Sequence, residues 1–484
     1  MPPLCRRLRF THLAILAAFA TAATIYSDTS TVAEEESTST PKPTSSAAEA
    51  PSERGFRWLT TKAYLTPDFD QEVFDRLYTT WEPEARAAAE QATPAERRRL
   101  AFERYGLTEY PDGPRRTALQ YVDDGAGGWA MNCLACHTGK VAGRVILGAP
   151  NTLYDLQTLT EEVRSVKFML GKPLTHMDKG SLVYPLGGSR GTTNAVMFGQ
   201  ILLAFRDADL TFHRDRTPPP PAHHDMDAPP WWHYRLKTRL YIDGFAPKDC
   251  RALMQFLLIP RNGPDKFAAW EADFRDVDAW ISSLEPPKYP FVVDRDLAEA
   301  GRAVFNRSCA GCHGRYDGDA GTAPSEKTAW PEKTVALAEV GTDAVRLESL
   351  SVEGRAKYGQ SWFTHFGEQK VTADPQGYVA PPLTGLWASA PYLHNGSVPT
   401  LWHLLHADAR PVVWQRSIDG YDEQRVGLEV RELTELPEAD RADARTRRRY
   451  FDTRLKGKSA VGHTFPEALN EPDKRALLEY LKTL

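Results

Sequence analysis

The chain has 484 residues, a length that suits two or three domains at roughly 150 residues each. Apolar residues make up 42% and charged residues 25%, which excludes disorder as the global state and a multi-span membrane protein. With 59 basic against 64 acidic residues the net charge is −5. There is no basic excess with which to bind a phosphate backbone, so nucleic acid is excluded as a partner.

At the N-terminus Arg6, Arg7 and Arg9 precede an apolar run from Leu13 to Ile25. A bilayer-spanning helix needs about 20 residues, so this run reads as a secretory signal over residues 1–23, with Ala20-Thr21-Ala22 as the cleavage site. It predicts a periplasmic or secreted protein; the alternative is an uncleaved N-terminal anchor. Cys5 lies before the run, which argues against a lipoprotein anchor. Residues 24–55 are rich in Ser, Thr, Pro, Ala and Glu and cannot bury enough apolar area to offset their ordering entropy. They are expected to form a disordered, low-complexity tether, with folding starting near Phe56.

The chemistry is carried by cysteines. Six are present: Cys5, Cys133, Cys136, Cys250, Cys309 and Cys312. Six cysteines in an exported chain can mean three disulfides, but the spacing points elsewhere. Cys133-Leu134-Ala135-Cys136-His137 and Cys309-Ala310-Gly311-Cys312-His313 both follow C-x-x-C-H, the attachment pattern of c-type haem. Two thiols at this spacing form thioethers to the two vinyl groups of one porphyrin, and the next residue places its imidazole on the iron. Neither motif has a further C-x-x-C to complete a zinc cage. Two covalently bound haem c groups are therefore expected, with His137 and His313 as iron ligands. Cys250 reads as a buried small apolar residue.

The flanking pattern predicts a mainly α fold with two cytochrome-c-like haem domains and long loops. Phe274, Val277, Trp280, Ile281 and Leu284 recur at helical spacing up to Glu285-Pro286-Pro287 and close an N-terminal domain, residues 56–290. Leu297, Ala300, Gly301, Val304 and Phe305 open a C-terminal domain, residues 291–484, on a helix running into Cys309. A terminal helix from Pro472 to Leu484 is expected to cross it, Gly301 allowing the close approach. Pro218 to Pro221 and Pro229-Pro230 mark a long loop, and residues from Asp317 to Thr372 read as an insertion in the second domain.

The sixth position on each iron separates electron transfer from reaction with a small molecule. No methionine follows Met254, so the second haem draws on His365, His394, His403, His406 or His463. His463, in Gly462-His463-Thr464-Phe465 just before the closing helix, is the preferred ligand and gives a bis-histidine electron store. For the first haem, His176 or Met177 closes the site in one reading. In the other the site stays open, with Gly187-Gly188-Ser189-Arg190-Gly191 and the apolar stretch Ala195–Gly199 as a loop and wall excluding water.

Ala390-Pro391-Tyr392-Leu393-His394-Asn395-Gly396-Ser397-Val398-Pro399-Thr400-Leu401, preceded by Pro381-Pro382-Leu383-Thr384-Gly385-Leu386-Trp387, resembles the segment shared by bacterial dihaem cytochrome c peroxidases and their relatives. Pro229-Pro230-Trp231-Trp232, the Gly462-His463 element and the missing second-domain methionine resemble the rubber-oxygenase-like dihaem cytochromes most. The resemblance implies a reactive N-terminal haem on His137, a C-terminal haem held by His313 and His463, and Trp231, Trp232 and Phe245 beside the first haem or between the two. His394 is a near-haem hydrogen-bonding residue in this reading, and calcium is a possible further cofactor. Two function classes follow. One is an exported oxidoreductase activating dioxygen or hydrogen peroxide, with an external electron donor or an uncharged, apolar organic substrate as partner. The other is an electron carrier with both irons six-coordinate. Peroxide-dependent modification of a partner protein is a third class that no feature selects.

Overall fold

The computed structural model describes residues 49–220, 222–316 and 330–484. The expected signal, the tether up to residue 48 and the first part of the expected insertion lie outside the described residues.

Regular structure is mostly helical, with small sheets between the helices. The N-terminal half contains α1 (Pro51–Thr61), β1 (Phe69–Asp70), α2 (Pro94–Tyr105), β2 (Tyr121–Asp123), β3 (Gly128–Met131), β4 (Thr138–Val141), β5 (Arg144–Leu147), α3 (Leu156–Leu170), α4 (Ala195–Ala204) and α5 (Pro264–Ser283). The C-terminal half contains α6 (Arg295–Ser308), the long hairpin β6 (Val413–Asp422) and β7 (Gly427–Leu433), β8 (Phe451–Asp452) and α7 (Glu471–Leu481). The strands β1-β3-β2 form one three-stranded antiparallel sheet and β7-β6-β8 another.

Each half is closed by a helix pair that meets at a glycine. In the C-terminal half a Cβ on Gly301 of α6 would lie 1.9 Å from the Ala476 carbonyl oxygen of α7, as the sequence predicts. The N-terminal half repeats the device with α1 and α5, where a Cβ on Gly55 would lie 2.1 Å from the Asp276 carbonyl oxygen. Residues 51–55, assigned above to the tether, are therefore part of the folded helix. Its start is fixed by Pro51 in the first turn and by Glu53, which accepts from the Ala50 amide at 3.1 Å. Arg54 then anchors α1 by forked bonds to Asp276 at 2.7 and 2.8 Å.

Three apolar clusters make up the interior. The first contains Leu59, Trp231, Phe245, Phe274, Val277, Trp280 and Ile281. Leu350, Tyr358, Trp362 and Phe363 belong to the same cluster, so the later part of the expected insertion packs into the N-terminal core. Its aromatic faces find partners there: Trp362 and Phe363 meet Phe267 at 5.6 and 6.2 Å. The second cluster joins α6, α7 and the Leu383–Leu405 stretch, and it takes in Trp232 and Ala149 from the N-terminal half. The third cluster, including Phe74, Phe102 and Trp129, lies within the N-terminal half. The double proline does follow α5, but the halves interlock across it.

A buried ion pair ties the halves together. Lys458 Nζ lies 2.7 Å from Asp225 Oδ2 and donates to Ser189 Oγ at 2.6 Å. Burial by itself would raise the Asp225 carboxyl, yet Lys458 holds it below the usual carboxylate range. Lys458→Met leaves that carboxylate buried without its cation, and removing one partner of such a pair costs about 3–5 kcal/mol. The denaturation midpoint should drop accordingly; an unchanged midpoint would contradict this role.

Candidate functional site

The second C-x-x-C-H motif is presented by α6. Cys309 closes the helix through its amide bond to the Phe305 carbonyl at 2.8 Å, and a short turn, Ala310–His313, carries the remaining motif residues. His313 Nδ1 donates to the Pro381 carbonyl at 2.9 Å, which leaves Nε2 as the ligating nitrogen. His463 faces it. The two ring centroids lie 6.1 Å apart at an interplanar angle of 67°. An iron held between two imidazole nitrogens at about 2 Å each sets centroids roughly 6 Å apart, so this pair fits a bis-histidine site.

The loop holding His463 is built for that position. His463 has φ +48° and follows Gly462 at φ +78°, a left-handed pair that needs external support. The His463 amide donates to the Val340 carbonyl at 2.7 Å, and Arg410 Nη1 donates to the Ala460 and Gly462 carbonyls at 2.6 and 2.7 Å. A Cβ on Gly462 would come within 2.2 Å of the Gly341 carbonyl carbon, so only glycine lets the loop seat. Burial pushes the His463 imidazole down to about 3, keeping it neutral as a ligand must be. Its Nδ1 is buried without a protein partner.

The other histidines are engaged elsewhere. His365 reaches Asp249 at 3.1 Å, His403 Nδ1 pairs with Thr400 at 2.7 Å, His406 packs on Trp402, and His394 packs against Tyr378 at 4.6 Å.

The first motif follows β3. Asn132 caps the turn, accepting from the Leu134 amide at 2.9 Å and donating to the Leu59 and Leu119 carbonyls. Asn151 returns to the Cys136 carbonyl through its amide at 2.9 Å. The His137 ring stacks on Trp231, centroids 4.2 Å apart at 16°. Burial drives the His137 imidazole down to about 3, with the Pro229 carbonyl as its neighbour; the buried Nδ1 stops short of a well-formed hydrogen bond. The proximal surroundings are thus built twice, by Ala228-Pro229-Pro230 and by Ala380-Pro381-Pro382.

The two adjacent tryptophans divide between the halves. Trp231 lies in the first core and meets Trp280 edge-on at 5.6 Å. Trp232 lies in the second core and donates from Nε1 to the Thr384 carbonyl at 2.7 Å, three residues beyond the carbonyl that orients His313. Phe245 is fully buried in the first core, stacked on Tyr241 at 4.8 Å and edge-on to Tyr358 at 5.3 Å.

His176 and Met177 do not pair with His137. His176 Nδ1 bonds Thr66 Oγ1 at 3.0 Å, and Met177 lines a separate small pocket with Asp68, Tyr121 and Asp178. Burial pushes the Asp68 carboxyl up to about 8 there. The folded chain then holds a proton that the unfolded chain loses above about pH 4, so stability falls as pH rises between the two values. Asp68→Asn should flatten that slope in urea midpoints taken from pH 5 to 8; an unaltered slope would assign it to another group.

None of the four motif cysteines forms a disulfide, and all are partly buried, so they fit thioether attachment of haem. Cys250 is likewise only half-buried and lies against Asp249 at 3.6 Å, which corrects the expectation of a fully buried residue. Among the described residues no cluster of acidic, His or Cys side chains suits a metal ion, and no helix is long and apolar enough to cross a membrane. Sequence reasoning missed Arg410 and Gly55. Gly55 carries a signal in hindsight, since it stands four positions before Leu59, on the same helix face.

A family model described as RoxA-like, cytochrome c-like, matches residues 377–415, and one for cytochrome C oxidase, cbb3-type, subunit III, matches residues 296–346. The uncharacterized protein y4iM of Sinorhizobium fredii (strain NBRC 101917 / NGR234) is 33% identical over 196 residues, covering 38% of this chain and 44% of y4iM. The uncharacterized protein y4iJ of the same organism is 29% identical over 262 residues, covering 42% of each chain. The chain thus spans less than half the length of these curated relatives. Motif, helix crossing and matches define a c-type cytochrome, a redox protein with covalent haem. Within that class, residues 377–415 are similar to the RoxA-like, rubber-oxygenase-like cytochromes c.

Proposed function

We propose that the protein is an exported dihaem c-type oxidoreductase in which the His137 site activates dioxygen or peroxide and the His313 site transfers electrons. When bound, a haem iron with an open face supplies reaction with dioxygen or peroxide, and one between two imidazoles supplies electron transfer. Cys133 and Cys136 hold the first group, with His137 as ligand; Cys309 and Cys312 hold the second, with His313 and His463.

The observation that carries this reading is the asymmetry between the two sites. His313 has an imidazole at 6.1 Å across a gap of ligand size. Among the described residues no histidine ring faces His137, whose ring contact is Trp231; His176 bonds Thr66 and Met177 lines a separate pocket. Trp231 fixes the plane of the His137 ring by stacking. Trp231 and Trp232, adjacent in the chain, link that ring to the Thr384 segment beside His313, and this link is the route by which electrons pass between the halves. The interior around Phe245, Tyr241 and Tyr358 keeps bulk water out and favours an uncharged organic substrate.

Carbon monoxide tests this directly. The dithionite-reduced protein should show a carbon monoxide shift in the Soret band of one haem only. If neither haem shifts, the protein is an electron carrier with both irons six-coordinate.

A further inference from the structure

Two buried arginines at the junction of the halves are answered by one carboxylate. Asp243 lies 3.2 Å from Arg346 Nη1 and 3.0 Å from Arg355 Nη2, and none of the three side chains is more than 3% exposed. Arg355 also donates to the Leu350 and Leu347 carbonyls at 2.6 and 2.9 Å, which leaves only its Nε without a partner among the described residues. Arg346 is served less well. Among the described residues its one hydrogen bond, from Nη2 to Asp243 Oδ1, is long at 3.4 Å; Nη1 has only its 3.2 Å ion-pair approach to Asp243, and Nε has no partner. The nearby Asp343 carboxylate accepts the Val345 and Ser459 amides at 2.9 and 3.2 Å and forms no ion pair with either arginine among the described residues. A surplus buried cation with empty donors is costly unless an anion completes it.

The surroundings suit an anion. His224 is 1% exposed; its Nδ1 bonds the Ala222 carbonyl at 3.1 Å, and its Nε2 is buried without a partner. Burial and the charge of Arg346 together depress both His224 and His394, which places both rings within its field.

We propose that Arg346, flanked by His224 and His394, binds a carboxylate at the junction of the halves. A guanidinium with unfilled donors is the fitting partner for that group, and the carboxylate is either a haem propionate or a small free carboxylate. The first source rests on the haem reading above; the second does not.

Pyridine haemochrome quantification of wild type, Arg346→Gln and Arg346→Lys comes first, so that failure of haem loading is seen separately. With a propionate at the site, Arg346→Gln shifts the propionate bending band in resonance Raman spectra and lowers the reduction potential of one haem, while Arg346→Lys retains most of the potential. With a free carboxylate, sodium acetate raises the thermal midpoint of wild type but not of Arg346→Gln, and the Raman band stays in place. Should Arg346→Gln fail to fold, His224→Gln is the substitute and is expected to show the same shifts, smaller. If band, potential and acetate response all match wild type, the proposal is wrong.

Discussion

Replacing His463 by alanine is expected to convert the haem on the His313 motif from a low-spin to a high-spin or water-ligated form, and to leave the His137 site unaltered. The loss should be complete. No other imidazole is placed to step in, since His394, His403 and His406 are held against Tyr378, Thr400 and Trp402. Magnetic-resonance spectra of the oxidised variant count low- and high-spin irons, and added imidazole should restore the low-spin signal by filling the space left by the ring. A variant spectrum identical to wild type would assign the ligand to another residue.

The second large effect is expected on stability. Gly301→Val places a branched side chain where even a Cβ would sit 1.9 Å from the Ala476 carbonyl oxygen and 2.8 Å from Tyr480 Cβ. Overpacking typically costs about 1–3 kcal/mol and more where the neighbour cannot yield. The principal obstacle here is backbone in the middle of α7, so the upper end applies. Gly55→Val should act alike through α1 and α5, where the opposing atom is again a carbonyl oxygen. Chemical denaturation of both variants checks the pair; wild-type midpoints would mean that the helices can slide apart without loss.

Much of the C-terminal half was legible in the sequence. The periodicity from Leu297 to Phe305 located α6, Gly301 located its crossing with α7, and the missing methionine pointed to His463. The N-terminal half was harder to read. Gly55 is surrounded by the same small and polar residues that make residues 24–48 look unstructured, and its partner helix lies more than 200 positions away, so composition masked a tertiary contact. The segment from Leu350 to Phe363 follows a motif of the second half but packs with the first, because aromatic residues follow the available apolar surface rather than chain order. Arg410 was invisible for another reason: it works through backbone carbonyls, which leave no trace in side-chain patterns. Cys250, read as a core residue, is half-buried because Asp249 beside it caps the helix that begins there.

The repeated Ala-Pro-Pro segments have a consequence for tuning the protein. A proline carbonyl stands beside each motif histidine, Pro229 for His137 and Pro381 for His313, and the following proline restricts how far either carbonyl can swing. The two carbonyls are used unequally: His313 donates to Pro381 at 2.9 Å, whereas the buried His137 Nδ1 makes no hydrogen bond among the described residues and its ring stacks on Trp231. Evolution or an engineer wishing to retune one histidine alone would therefore work behind its ring, at Trp231 for His137 and at the Pro381 carbonyl for His313.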